Sequence, residues 1–332
     1  MSAGEAPGAQ IVSLLGEGDE RTLAADVREG FSKPLKEIPP KHFYDTAGAE
    51  LFDRICDLPE YYPTRAERAI LEGQSDELAA ATGLGELVEL GSGTAEKTMV
   101  LLRAASQAGT LRRFVPVDVT EQMVRGCAAR CAAELPELEV IGVVGDFGRH
   151  LDAIPPAQEG LPRAVALLGG TIGNFTPGER RELLAQMASL LRPETDFLLL
   201  GTDLVKDRDR LIAAYDDSQG VTAEFNRNVL RVINRELGAD FEPQAFEHLA
   251  LWNEDEEWIE MRLRATRPMT VRIESLDMDV DFAEGEEIRT EISAKFTEER
   301  LEDDLGAAGL EATRVFHDPD RLFALSLARL AS

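Results

Sequence analysis

The stretch LVELGSGTAEKT, from Leu87 to Thr98, constrains the fold of this chain more than any other. Leu87, Val88 and Leu90 make a buried-strand pattern, and Gly91 and Gly93 supply a turn tight enough for a ligand to approach the backbone. Thr94 stands where it can cap a following helix. A strand, a glycine turn and a helix start are the opening of a βαβ unit. A dinucleotide fingerprint needs a third glycine where this chain has Glu96, so the turn is poorly suited to a pyrophosphate.

Three further strand ends follow. FVPVDVT reads as a strand from Phe114 to Val117 that ends in Asp118, a carboxylate suited to accepting from ribose hydroxyls. VIGVVGDF ends in Asp146 and Phe147, an acceptor and a flat apolar face suited to adenine, and AVALLGGTIGNF ends in a glycine-rich loop carrying Asn174. Taken singly, each is an ordinary cap or turn residue. Taken together they fall on the carboxyl edge of one parallel sheet, where open α/β folds bind ligands. The order resembles the Rossmann-like methyltransferases that use S-adenosylmethionine. That cofactor has no phosphates, so a missing third glycine is no defect.

Composition narrows the class. A chain of 332 residues with 44% hydrophobic and 29% charged residues has the make-up of a globular protein large enough for two modest domains. No apolar run reaches spanning length and no signal-peptide pattern opens the chain, so a cytoplasmic protein is expected. The net charge of −27 repels nucleic-acid backbones and no basic segment offsets it, which leaves a small molecule as the expected partner and a monomer as the expected state. Cys56, Cys127 and Cys131 are too few for a disulfide framework; His42, His150, His248 and His317 form no ligand pattern, so no metal is expected.

Residues 1–18 are rich in Gly, Ala and Glu and are expected to be mobile, with ordered structure starting near Glu20. Four segments are expected: 1–63 as the N-terminal part of a substrate-binding domain, 64–206 as a sheet-forming core, 207–295 as the inserted remainder of that domain, and 296–332 as a helix and strands completing the sheet. Within the insertion, TAEFNRNVLRVINREL presents Phe225, Val229, Val232 and Ile233 at helical spacing. HLALWNEDEEWIEMRLRAT and MTVRIESLDMDV alternate as antiparallel strands do. The expected fold is α/β, a Rossmann-like class I methyltransferase sheet with an inserted α+β domain.

The runs PPKHFYD, LPEYYPTR, LVELGSGTAEKT, GGTIGNFTP, GVTAEFNRNVL, EEWIEMRL and EIRTEISAKF resemble the histidine N-alpha-methyltransferases of ergothioneine biosynthesis. The resemblance covers nearly the whole chain beyond the first ~20 residues and both expected domains, which fold-level analogy alone does not supply. It implies that S-adenosylmethionine trimethylates the α-amine of L-histidine to hercynine. It implies that Gly91 and Lys97 sit at the cofactor's methionine end, Asp118 at its ribose, and Asp146 and Phe147 at its adenine. For the acceptor, it implies Asn174 and Tyr215 at the carboxylate and amine, with the Gly169 carbonyl as a further amine contact, Tyr61 at the imidazole, and Tyr44 near the reacting nitrogen.

Glu291 and Ser293 are the pair that points to an imidazole. Two apart on a strand, they share a face, and a carboxylate with a hydroxyl satisfies a ring that has a nitrogen on each side. Met261 is placed to pack against that ring. Three alternatives remain open: a methyltransferase for another aromatic amino acid such as tryptophan, a regulatory protein that binds the cofactor without turnover, and a nicotinamide oxidoreductase.

Overall fold

The computed structural model describes residues 9–15 and 20–331. The chain divides into two compact units: one comprises Met1–Leu15, Pro63–Leu204 and Phe296–Ser332, the other Gly16–Tyr62 and Val205–Lys295. Strands and helices are numbered along the whole chain.

The first unit is built on eight strands: β1 (Ala9–Ser13), β3 (Glu86–Leu90), β4 (Arg113–Asp118), β5 (Glu139–Val144), β6 (Arg163–Leu167), β7 (Phe197–Asp203), β13 (Leu310–His317) and β14 (Phe323–Leu330). Their order across the sheet is β1-β5-β4-β3-β6-β7-β14-β13. The strands from β1 to β7 run parallel and the last two antiparallel. Five of them repeat the doubly wound order, which reverses beside β3 and opens a ligand crevice at the carboxyl ends of β3 and β6. Every residue of β3 and β6 is buried, as a parallel sheet covered on both faces requires. Helices α3 (Pro63–Thr82), α4 (Thr98–Gln107), α5 (Glu121–Glu134), α6 (Phe147–His150), α7 (Pro177–Ser189) and α10 (Glu298–Ala307) complete the unit. Near the strands' amino ends, the buried Glu86 carboxylate accepts from Arg113 and Arg163, each at 2.8 Å.

Two expectations need correction here. Ordered structure does not start near Glu20, because Ala9–Ser13 pairs with β5 as an edge strand; the run QIV supplies too few apolar residues to show a period. Residues 1–8 and 16–18 of the segment expected to be mobile lie outside the described residues. Nor does Thr94 cap a helix. Gly91, Gly93 and Ala95 all have positive φ (69°, 50° and 52°), which no right-handed helix accommodates, so α4 starts only at Thr98.

The second unit has a four-stranded sheet in the order β2-β12-β9-β8, from β2 (Lys36–Glu37), β8 (Phe246–Asn253), β9 (Trp258–Ala265) and β12 (Glu287–Ala294). A separate hairpin joins β10 (Met269–Ile273) to β11 (Met278–Phe282). Helices α1 (Glu20–Gly30), α2 (Thr46–Cys56), α8 (Arg208–Tyr215) and α9 (Val221–Leu237) complete it. Helix α9 buries the apolar stripe predicted for it, Phe225, Val229, Val232 and Ile233. Phe31, Phe241, Phe246 and Phe282 form an aromatic core with centroids 5.4–6.4 Å apart, mostly edge to face, the geometry ring quadrupoles favour. Both tryptophans of the chain, Trp252 and Trp258, stand on the β8–β9 hairpin of this unit.

Candidate active site

The carboxyl edge of the first unit's sheet carries the residues expected to hold a donor. Asp118, at the end of β4, accepts from the Gly93 amide through Oδ2 and from the Thr120 amide through Oδ1, each at 2.9 Å. The Thr120 side chain and the Val119 amide also bond to this carboxylate. Burial pushes the Asp118 carboxyl above its usual range, while these amides pull it back. Asp146 accepts from the Gly148 amide at 2.9 Å and so caps the short helix α6, which sets Phe147 beside the glycine turn. A Cβ on Gly91 would lie 3.7 Å from the Phe147 ring; the bare glycine keeps that approach open to a ligand.

Beneath this edge lies a buried acidic pair that sequence reasoning missed. Glu67 of α3 is fully buried; one of its oxygens takes the Gly169 amide at 2.8 Å and the other pairs with the Lys97 ammonium. The expected methionine-end lysine and the expected amine-contact loop are thus fastened to one carboxylate. Gly169 and Gly170 both have positive φ (79° and 70°), which turns the chain sharply after β6 into the 3-10 turn Thr171–Asn174 that carries half-buried Asn174. Glu89, also buried, accepts from the Thr98 hydroxyl, and burial raises its carboxyl to about 8. Ser92 Oγ and Glu89 Oε2 are buried without a hydrogen-bond partner among the described residues, a cost of about 1–3 kcal/mol each that a polar ligand at this turn can relieve. The Asp118 carboxylate at the strand end, the open glycine turn and the unsatisfied Ser92 hydroxyl fit a nucleoside bearing an amino-acid tail.

Of the residues expected to hold an acceptor, Asn174 and Gly169 stand in the first unit and Tyr44, Tyr61, Tyr215, Met261, Glu291 and Ser293 in the second. A bulge between Arg289 and Glu291 resets the register of β12, so that Glu291 lies opposite Met261 on β9 and Ser293 opposite Ile259. Burial raises the Glu291 carboxyl to about 7, while the charge of Lys295 holds it down. The Tyr215 hydroxyl, expected at the carboxylate end of the acceptor, is 2.7 Å from Ser293 Oγ, one of the two atoms expected at the ring end. Tyr61 stacks edge-on to Tyr215 with centroids 6.4 Å apart, and burial raises its hydroxyl well above the ordinary range. Tyr44, half-buried, sits edge-on to Phe52 and Phe225 at 5.6 Å each.

A hydrogen-bonded chain supports these groups. His248 Nε2–H donates to the Tyr215 carbonyl at 2.8 Å, and His248 Nδ1 accepts from Asn226 at 2.8 Å. The Asn226 oxygen in turn accepts from Thr290 at 2.6 Å. Burial holds the His248 ring below its ordinary pKa, in keeping with a neutral tautomer that both donates and accepts. Lys295 is buried and donates to Tyr215 Oη at 2.9 Å and to Ser293 Oγ at 2.8 Å. The only sequence signal for Lys295 was its place two residues beyond Ser293, continuing the same alternation. Among the described residues no His, Cys, Asp and Glu cluster has metal-site geometry, and Cys56, Cys127 and Cys131 are free thiols.

The sequence model of the family described as histidine-specific, S-adenosylmethionine-dependent methyltransferases matches residues 23–330. The histidine N-alpha-methyltransferase of Mycolicibacterium smegmatis is 53% identical over 95% of this chain and 97% of its own. That of Mycobacterium tuberculosis is 52% identical over 96% and 98%. An L-tryptophan methyltransferase of Psilocybe serbica is 27% identical over 92% of this chain and 93% of its own.

Proposed function

Because the chain belongs to the histidine-specific, S-adenosylmethionine-dependent methyltransferase family, we infer that it methylates the α-amino nitrogen of L-histidine. We propose that transfer repeats until the trimethylated betaine hercynine forms, the opening reaction of ergothioneine biosynthesis. The observation that carries the histidine assignment within the molecule is the register of β12 on β9, which sets Glu291 against Met261 with Ser293 two residues on.

Bound S-adenosylmethionine supplies a sulfonium methyl that is already electrophilic, so the protein's task is alignment and the choice of an unprotonated amine. In this reading Asp118 accepts from the ribose hydroxyls, Asp146 and Phe147 receive adenine, and Gly91 and Lys97 meet the methionine end. Asn174 and Tyr215 orient the acceptor's carboxylate and amine with the Gly169 carbonyl, and Tyr44 faces the charge that develops on nitrogen. Tyr61, Glu291 and Ser293 take the imidazole, with Met261 against its face. Held there, the unprotonated amine would take the methyl that the donor supplies, and the proton it then carries would pass to solvent before the next round. Alignment of this kind lowers barriers by about 7–11 kcal/mol, more than the 10²–10⁴-fold usual for a general base, so no single base is assigned. We also place the reaction in the cytoplasm, where free thiols persist.

Indole presents one ring N–H and no ring acceptor, which leaves the Glu291–Ser293 pair half used. Purified protein incubated with S-adenosylmethionine and a panel of amino acids is expected to add three methyl groups to histidine by mass spectrometry. Methylation of tryptophan with histidine untouched overturns the assignment.

A further inference from the structure

The acceptor residues just assigned do not include the one positive charge buried among them. Lys295 is completely buried, and its ammonium donates to both Tyr215 Oη and Ser293 Oγ while lying 4.7 Å from the Tyr215 ring centroid. Those two oxygens also bond to each other at 2.7 Å. An ammonium has donors only, so each hydroxyl oxygen spends a lone pair on it. Either hydroxyl could donate in that contact; a phenol is the stronger donor and an alkyl hydroxyl the better acceptor, so Tyr215 donates to Ser293, both Ser293 lone pairs are filled, and the Ser293 proton is the one left to meet a ligand.

We propose that Lys295 is a specificity-determining positioning residue: it fixes Ser293 as a hydrogen-bond donor, so that the site takes a neutral imidazole, one nitrogen accepting from Ser293 and the other donating to Glu291. This rests on the histidine reading above. A protonated ring has two N–H groups and no acceptor, so it leaves the Ser293 proton opposed and brings a second cation beside the ammonium. The same logic disfavours cationic side chains such as those of lysine and arginine. The titratable groups facing the cluster are Glu291 on β12, Tyr215 from α8, and Tyr61, which itself neighbours Tyr44 and Cys56. On the adjacent strand Glu260 is occupied by the Trp258 indole at 2.8 Å and by Arg262 at 2.9 Å.

The test is calorimetric titration of histidine into protein saturated with S-adenosylhomocysteine at pH 8 and pH 6, for the natural protein and for Lys295→Met. A free histidine ring titrates near about 6.5, so its neutral fraction, and with it the affinity of the natural protein, is expected to fall roughly fourfold between the two pH values. Lys295→Met is expected to bind histidine at least about tenfold more weakly at pH 8, with the pH 8 to pH 6 ratio several-fold smaller and S-adenosylhomocysteine affinity within about twofold. Unchanged histidine binding, an unchanged pH ratio, or equal loss of both ligands overturns the inference. Should the variant not fold, ¹⁵N spectra of labelled histidine bound to the natural protein at pH 6 decide: a neutral ring is expected, and a doubly protonated ring overturns it. A natural protein that takes no histidine at either pH refutes the functional reading first, and this inference with it.

Discussion

Glu291, proposed to hold the substrate ring, shows how such a residue works against the fold that carries it. Burial raises its carboxyl to about 7, above the ordinary range. A carboxyl whose folded-state value is raised contributes stability below its unfolded value and loses it as pH rises through the folded one. At pH 8 the empty site therefore holds a carboxylate at a cost of about 1–3 kcal/mol. Glu291→Gln is expected to unfold later than the natural protein at pH 8, with the advantage fading toward pH 4, and to bind histidine more weakly. Urea titrations at the two pH values check the first part and calorimetry the second; equal stability at pH 8 refutes it. Glu291 and Ser293 were legible in the sequence because a strand's alternation puts them on one face. Glu67 and Lys295 were not, because a buried ion pair or ammonium is defined by partners far away in sequence, such as Gly169 for Glu67 and Tyr215 for Lys295.

At the scale of elements, the ends of β3 and β4 are observed where the sequence puts them, since buried parallel strands are short apolar runs closed by turn residues, whereas β5 stops at Val144, two residues short of Asp146, which caps α6 instead. The helix after the glycine turn was misplaced by several residues because Ala95 takes a left-handed conformation that a non-glycine residue does not advertise. The Gly169–Gly170 turn gives a matched pair of variants. Both glycines have positive φ, so alanine at either strains the backbone by about 1–2 kcal/mol. A Cβ on Gly169 also comes within 3.2 Å of the Lys97 ammonium, whereas one on Gly170 meets only Phe323 and Asp203. Gly169→Ala and Gly170→Ala are expected to lose similar stability by thermal melting, while only Gly169→Ala weakens S-adenosylmethionine binding. Equal donor affinities contradict a role for Lys97 in holding the donor.

At the scale of the whole molecule, the expected division into interleaved segments rested on a change of pattern near residue 206, where buried strands give way to amphipathic helices. The chain divides by contact into two discontinuous units, and Ala9–Ser13 joins the large sheet. Both tryptophans belong to the second unit, so their fluorescence reports its unfolding while far-ultraviolet circular dichroism reports both units. S-adenosylhomocysteine at 100 times its dissociation constant stabilises what binds it by about 2.7 kcal/mol. It is expected to raise the dichroism midpoint more than the fluorescence midpoint; identical shifts mean that the units unfold as one.

The position of β14 also bears on how the protein is made. Residues 323–330 form an interior strand, flanked by β7 on one side and β13 on the other. During synthesis the strands from β1 to β7 therefore emerge long before the neighbour that covers the β7 edge, and a long apolar edge strand is a template for wrong pairing. The nascent chain carries that unpaired edge through the making of more than a hundred further residues, the whole of 205–322, until β14 arrives.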